Sequence, residues 1–336
     1  MAETLSLGVV GVGRIGRLHV QNLVKHVSRA RILAVADVIE EAARQVATTY
    51  HIPDAYADPR RVLERKDIDA IIICSSTNTH ADLIEMAAQA GKHAFCEKPL
   101  DLSVERIRQV LGVVAENGVK LQVGFQRRFD PSFQRARDLL AEGAIGTPHI
   151  VRITSRDPAP PPIEYIRVSG GIFLDMTIHD FDMSRFLLGD EATEIFVQGG
   201  VMVDPAIGEA NDLDTAIISM RFRKGTLVTI DNSRRSVYGY DQRVEVFGSE
   251  GMISVGNRFP DQVVLLNDGG QHGPKPLYFF VERYRGAYVA EMRAFVDAVL
   301  NDEPSPVSGL DGLMPVIMGH AAWQSYREQR PIAVEL

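Results

Sequence analysis

Val9-Val10-Gly11-Val12-Gly13-Arg14-Ile15-Gly16 is a G-x-G-x-x-G stretch set between an apolar run, Leu5–Val10, and a helical pattern, Ile15–His26. Strand, glycine turn and helix in that order make the phosphate-binding start of a dinucleotide fold. Gly11 allows the tight turn, Gly13 lets the backbone approach a pyrophosphate, and Gly16 lets helix and strand pack closely. The first helical N–H groups, at Arg14 and Ile15, have no intrahelical partner and suit an anion. A glycine turn without a ligand would look the same in isolation. The next strand-like run, Arg31–Ala36, argues against that reading. It leads to Asp37, about 20 residues past Gly16, where a ribose-binding carboxylate belongs. A carboxylate accepts from ribose hydroxyls and repels a 2′-phosphate. Val38 offers no cation to hold one, so NAD is expected over NADP.

Further short apolar runs follow at Asp69–Cys74, His93–Cys96 and Leu121–Gly124. Helical patterns lie between the runs at Glu40–Thr49, Ala81–Ala90 and Val104–Asn117, with Ser103 as an N-cap and Gly118 as a stop. This alternation predicts an α/β chain whose residues 1–125 form a Rossmann domain, a doubly wound parallel sheet. After about Arg127 the runs become β-branched with period two: Ile150–Ser155, Glu194–Val203, Thr215–Phe222, Thr226–Asp231 and Arg243–Phe247. Lys224-Gly225 reads as a hairpin turn. One helix is expected over Ile172–Leu188, and others near Tyr284–Leu300 and Leu310–Gln329. Residues 126–336 are thus expected to form a C-terminal α/β domain with an open, mainly antiparallel sheet. Its final helices are candidates for packing back on the first domain.

Composition agrees with two globular domains. The chain has 336 residues, 45% hydrophobic and 24% charged. A net charge of −8 gives no electrostatic reason to bind nucleic acid or an anionic membrane. No apolar run is long enough to span a bilayer, and the start lacks a basic region followed by an apolar one. Two cysteines, Cys74 and Cys96, cannot build a disulfide framework or a thiolate-rich zinc site, which fits a reducing cytoplasm.

The chemistry centres on Asp175, His179 and Asp182. At i, i+4 and i+7 they would share one stripe of the expected helix. That helix is apolar on most other sides, so it is expected to be buried, and its polar groups need partners. A substrate cavity supplies them, and so does a structural hydrogen bond in the core; the residues alone fit both. Alcohol oxidation needs a base for the hydroxyl proton, and imidazole suits that near neutral pH. No thiolate cluster or His-x-x-x-His pair supports zinc or iron, so no metal is expected. Lys98 follows a strand end, where open α/β sheets place ligands, and an ammonium there can stabilise a developing alkoxide. Pro99 is a candidate for a cis bond that fixes the lysine. Arg127 or Arg128, Asp157, and Tyr238 or Tyr240 could line a polyol pocket. His19, His26, His51, His149 and His320 attract no functional reading.

Glu97-Lys98-Pro99, joined to the Rossmann start, resembles the Gfo/Idh/MocA oxidoreductase family. Cys74-Ser75-Ser76-Thr77-Asn78-Thr79-His80 is similar to a cofactor-side loop of that family, although the proline common near its start is absent. Gly124–Asp130, Ser169–Met183 and Tyr288–Ala298 resemble members that oxidise inositol. The resemblance implies cofactor contacts from Ser75, Thr77, Asn78, His80, Glu97 and Lys98, with Glu97 near the nicotinamide ribose. It implies that Lys98 polarises the reacting oxygen, His179 takes the proton and Asp175 orients His179. Arg128, Asp157, Asp182 and Tyr238 are the candidate substrate contacts. A polyol between the domains, myo-inositol going to its 2-ketone with NADH formed, and a homotetramer built on the open sheet complete the expectation. The rivals are a dehydrogenase for another inositol isomer or an aldose, an NAD-dependent glycosidase, and a non-catalytic NAD sensor. Lys98, Asp175 and His179 occurring together argue against the sensor.

Overall fold

The computed structural model describes residues 4–335; Met1–Glu3 and Leu336, the ends of the two expected domains, lie outside the described residues. The chain forms two compact units, Met1–Phe129 with Gly286–Val316, and Asp130–Arg285 with Ile317–Leu336.

In the first unit, short and mostly buried runs become strands β1 (Leu5–Val10), β2 (Ala30–Ala36), β4 (Ala70–Ile73), β5 (His93–Glu97) and β6 (Leu121–Gly124), joined by a half-buried β3 (Asp54–Tyr56). They lie in the order β3-β2-β1-β4-β5-β6, all parallel, which is the Rossmann order. The chain direction along the sheet reverses between β1 and β4, the crevice where such sheets bind ligands. β3 was not expected: three half-buried residues carry no pattern to read. Ser103 does cap its helix, its Oγ accepting from Arg106 N at 3.2 Å. Residues of the helix Arg285–Leu300 complete this core. Met292, Phe295 and Val296 pack with Leu7, Val9 and Phe95.

The second unit holds β7 (Pro148–Arg156), β8 (Ala192–Gly200), β9 (Thr215–Phe222), β10 (Leu227–Ser233), β11 (Asp241–Gly248) and β12 (Met252–Val255). A small hairpin, β13 (Leu265–Asn267) with β14 (Gly270–His272), and a two-residue strand, β15 (Ile332–Ala333), follow. The main sheet runs β12-β11-β7-β10-β9-β8-β15, and only its central β7–β10 pair is parallel. Period two explains its faces. On β9, Ala216, Ile218, Met220 and Phe222 are buried while Ile217, Ser219 and Arg221 face outward. Gly225 makes the turn into β10 at φ +98°, with its N–H on Phe222 O.

The expected single helix over Ile172–Leu188 is corrected. Two helical segments form, Ile172–Asp175 and Ile178–Leu188. Thr177 N bonds Ile172 O, five residues back, and the Thr177 hydroxyl leaves for Asn232 Oδ1 at 2.5 Å. That wide turn breaks the ordinary ladder, so Asp175 and His179 stand on successive segments rather than on one stripe.

Candidate active site

The first unit carries the nucleotide loop. Gly11 has φ +87°, and a Cβ there would lie 2.4 Å from Ser75 N. A Cβ on Gly16 would lie 1.9 Å from Gly11 O, so only glycine permits this approach. Gly13 differs. It is exposed, and nothing lies within 4 Å of where its Cβ would be. It precedes the helix Arg14–His26 without a side-chain cap, and the first turn contains no acidic residue. The positive end of that helix, with no acidic residue in its first turn, therefore suits an anion. Asp37 closes the loop: Oδ2 accepts from Val12 N at 2.8 Å and Oδ1 from Ile39 N at 2.9 Å. Each oxygen keeps further acceptor capacity for ribose hydroxyls. Val38 is 87% exposed and brings no cation. An open backbone cradle plus a diol acceptor fit NAD. Asp37→Ala should lower kcat/KM with NAD about tenfold or more, the scale of losing hydrogen bonds to a charged group. It should also narrow the preference over NADP. Steady-state kinetics with both cofactors checks this, and equal use of NADP by the wild type contradicts it.

Two loops at the strand ends supply the rest of this unit's candidates. After β4, Ser75 Oγ lies 2.7 Å from Thr79 Oγ1, and Thr77–Thr79 form a 3-10 turn that leaves Asn78 exposed. His80 is turned inward. It is 2% exposed, with Nδ1 2.8 Å from Pro99 O and Nε2 3.0 Å from Ser75 O. A neutral ring donates to only one of these carbonyls, and burial pushes its pKa down. His80 thus ties the β4 loop to the β5 loop. After β5, Lys98 is half-buried and the Lys98-Pro99 bond is cis. Glu97 meets His19, whose Nε2 lies 2.7 Å from Oε1. Sequence reading gave His19 no role. Its spacing from Gly16, Val20 and Leu23 puts it on the buried face of its helix, and a polar group there needs a partner. Among the described residues, His19, Glu97 and Glu291 form the one group of three His, Cys, Asp or Glu side chains with converging ligand-type atoms. Arg128 is buried and its Nη2 donates to Asp311 at 2.9 Å.

The second unit carries the proton-transfer candidates. Asp175 Oδ1 accepts from the Tyr165 hydroxyl at 2.9 Å, and Oδ2 from Arg234 Nη1 at 3.3 Å. Arg234 is 1% exposed and also reaches Asp212 Oδ2 at 3.2 Å. Burial works against its charge, but the carboxylates of Asp175, Asp212 and Asp157 outweigh it and hold its pKa above the usual value. Asp157 is thereby placed in the same electrostatic group as Asp175. Asp212 Oδ1 accepts from Ile172 N at 2.8 Å, so the segment bearing Asp175 is fixed at both ends. Gly171, at φ +79°, makes room, since a Cβ there would lie 2.7 Å from Asp212 Oδ1.

His179 is half-buried in the first turn of Ile178–Leu188, and Asp182, three residues on, is fully buried. The start of that helix is anchored to the sheet through Asn232, which accepts from Thr177 and donates to Asp180 Oδ2 at 2.9 Å. Tyr238 is exposed; its hydroxyl donates to Asp241 Oδ2 at 2.6 Å and accepts from Arg156 at 3.2 Å. Tyr240 is buried edge-on to Tyr284. Arg234, Tyr165 and Asn232 were missed from sequence.

Comparison with known proteins identifies the family. Residues 5–125 match GFO_IDH_MocA, an oxidoreductase family with an NAD-binding Rossmann fold, and residues 133–254 match the GFO/IDH/MocA C-terminal domain. A myo-inositol 2-dehydrogenase of Thermotoga maritima is 48% identical over 331 residues, 98% of this chain and 99% of its own length. An inositol 2-dehydrogenase of Rhizobium meliloti is 44% identical, again over 98% of this chain and 99% of its own. A solved scyllo-inositol dehydrogenase of Lactobacillus casei, with bound NAD(H) and scyllo-inositol, is 30% identical with a TM-score of 0.93, covering 99% of both chains. The chain therefore belongs to the GFO/IDH/MocA family of NAD-dependent oxidoreductases, a Rossmann domain joined to the family's own C-terminal domain.

Proposed function

We propose that this protein oxidises myo-inositol to its 2-ketone, with NAD as the acceptor. The observation that carries the substrate is the 48% identity, over nearly the whole chain, to a protein named for that reaction. NAD, when bound, would accept hydride, the hydrogen nucleus together with the C–H bonding pair, from the carbinol carbon. Gly11, Gly13, Arg14, Ile15 and Gly16 would hold its pyrophosphate and Asp37 its ribose, with Ser75, Thr77 and Asn78 as further cofactor contacts and Glu97 near the nicotinamide ribose. His179 takes the hydroxyl proton, Asp175 orients His179, and Lys98 donates to the same oxygen as negative charge builds there. The fixing of Asp175 by Tyr165 and Arg234 supports an orienting role, because a group that orients another must itself be held. Asp157 and Asp182 are the polyol contacts we favour. Arg128 and Tyr238, which donate to Asp311 and Asp241, are the further candidates.

A second reading, oxidation of scyllo-inositol, is favoured by the Lactobacillus casei structure. A screen of NADH formation over myo-, scyllo- and chiro-inositol, aldoses and an aryl glycoside separates the readings. The highest kcat/KM is expected with myo-inositol. Sugar release from the glycoside without net NADH would replace the proposal with a glycosidase, and no NADH from any polyol would leave a sensor.

We also propose a homotetramer in the cytoplasm. The outward sheet face carries a cross-strand row, Met252, Phe247, Ile150 and Leu227, in adjacent register on four strands, and three of these are more than 45% exposed. Such a row calls for cover. Sedimentation should give a tetramer at micromolar concentration, and a stable monomer contradicts it. Free thiols at Cys74 and Cys96 suit a reducing compartment.

A further inference from the structure

Around Glu97, at the end of β5, the first unit gathers titratable groups, of which His19 and Glu291 have no part in the proposed reaction. Glu291, on the helix Arg285–Leu300, is fully buried, and neither carboxylate oxygen meets a donor. His19 Nδ1 is likewise buried without a partner, while Nε2 faces Glu97. One ligand-type atom each from His19, Glu97 and Glu291 lies within 4.8 Å of the other two. Gln122, on β6, donates its Nε2 to the Glu291 main-chain oxygen at 3.2 Å, yet its own Oε1 has no donor. The cluster therefore has acceptors in excess and is short of a proton.

The other groups nearby do not supply a cation. Cys96 on β5 and Cys74 after β4 are thiols that burial pushes up, so they stay neutral. His80 spends its ring on the Ser75 and Pro99 carbonyls, and Tyr288 stands edge-on to His19. No lysine or arginine among the described residues pairs with Glu291. An ionised Glu291 would thus be a buried charge facing a second carboxylate, which is strongly unfavourable. A proton removes that charge and supplies the missing donor. Burial, and then the charge of Glu97, push its carboxyl well above the usual range.

We propose that Glu291 is held as a neutral carboxylic acid that shares its proton with the Glu97–His19 pair, and that it thereby positions the end of β5 from which Lys98 projects. Glu291 is a positioning residue in this account. The kinetic part rests on the reading of Lys98 given above; the protonation does not.

The test compares full-length wild type with E291Q, a neutral near-isostere, and E291A. In the infrared, wild type near neutral pH should show the carbonyl stretch of a protonated carboxylic acid, and E291Q should lose it. Thermal unfolding gives a second readout. An acid whose pKa rises on folding is ionised in the unfolded chain and neutral in the folded one, so its contribution to stability falls as pH climbs above the usual glutamate range. Glutamine does not titrate. The melting temperature of E291Q relative to wild type should therefore rise by about 2 °C or more between about pH 5 and about pH 8. In turnover, E291Q should stay within about threefold of wild type. E291A should lose about tenfold to hundredfold in kcat with little change in KM for NAD, the scale of a small misplacement of a catalytic group.

An E291Q enzyme as damaged as E291A, with no acid band in wild type, would overturn the proposal in favour of an ionised Glu291. A stoichiometric divalent cation in the purified protein, lost in E291Q, would overturn it in favour of a metal site. If Lys98→Ala turns over normally, the reading of Lys98 fails, while the infrared and thermal results still decide the protonation.

Discussion

His179→Ala is expected to slow polyol oxidation by about two to four orders of magnitude, the usual scale for a positioned acid–base group. Only a neutral imidazole can accept the hydroxyl proton. Oxidation by the wild type should therefore rise with pH through one ionisation, and ketone reduction should fall through a related one. His179→Ala should flatten that ionisation, while NAD affinity, which depends on the first unit's loop, stays near normal. Asp175→Asn should give a smaller loss, because Tyr165 still reaches the side chain and the ring is only less well oriented. Initial rates across pH, in both directions, provide the check. A His179→Ala enzyme with near-normal kcat and the same pH profile would make His179 a structural residue of its helix.

Lys98→Ala is expected to lower kcat by about two to three orders of magnitude, as removal of a donor aimed at a developing oxyanion does. The lysine follows β5, away from the glycine turn and from Asp37 at the end of β2, so NAD binding measured by fluorescence titration should change little. Lys98→Arg should recover only part of the loss, since a planar fork replaces a compact ammonium. A variant that loses NAD affinity and keeps turnover would assign Lys98 to the cofactor instead.

The first domain is legible because its signals are local. β1 and its glycine turn need only adjacent residues, and β4 is a continuous buried aliphatic run. β3 escapes because Asp54-Ala55-Tyr56 is held by its neighbours rather than by its own pattern. The two-segment form of Ile172–Leu188 escapes for a related reason. Helical periodicity continues through Met176–Thr177, and the partner that holds the Thr177 hydroxyl at the break is Asn232, 55 residues along the chain.

The candidate site divides in the same way. Asp175 and His179 declare themselves by type and spacing, but their supports arrive from elsewhere. Arg234 was readable in one respect. Extending the alternation of β10 through Val228, Ile230 and Asn232 sets Arg234 on the buried side and leaves Arg235 exposed. A buried arginine next to a catalytic candidate then demands a carboxylate. Glu291 lay in a recognised stretch but gave no signal of its own, since a glutamate within a helix is ordinary until its surroundings are known. His80 was expected at the cofactor by its place in a loop, and its inward turn onto Pro99 O depends on β5, which local sequence does not contain.

The most direct test of the account uses myo-inositol deuterated at C2. The purified enzyme is incubated with this substrate and NAD, and the reduced cofactor and the ketone are examined by mass spectrometry. Each NADH formed should carry one deuterium and the ketone none, at a slower rate than with ordinary myo-inositol. Unlabelled NADH, or ketone formed with the deuterium retained, would contradict this expectation.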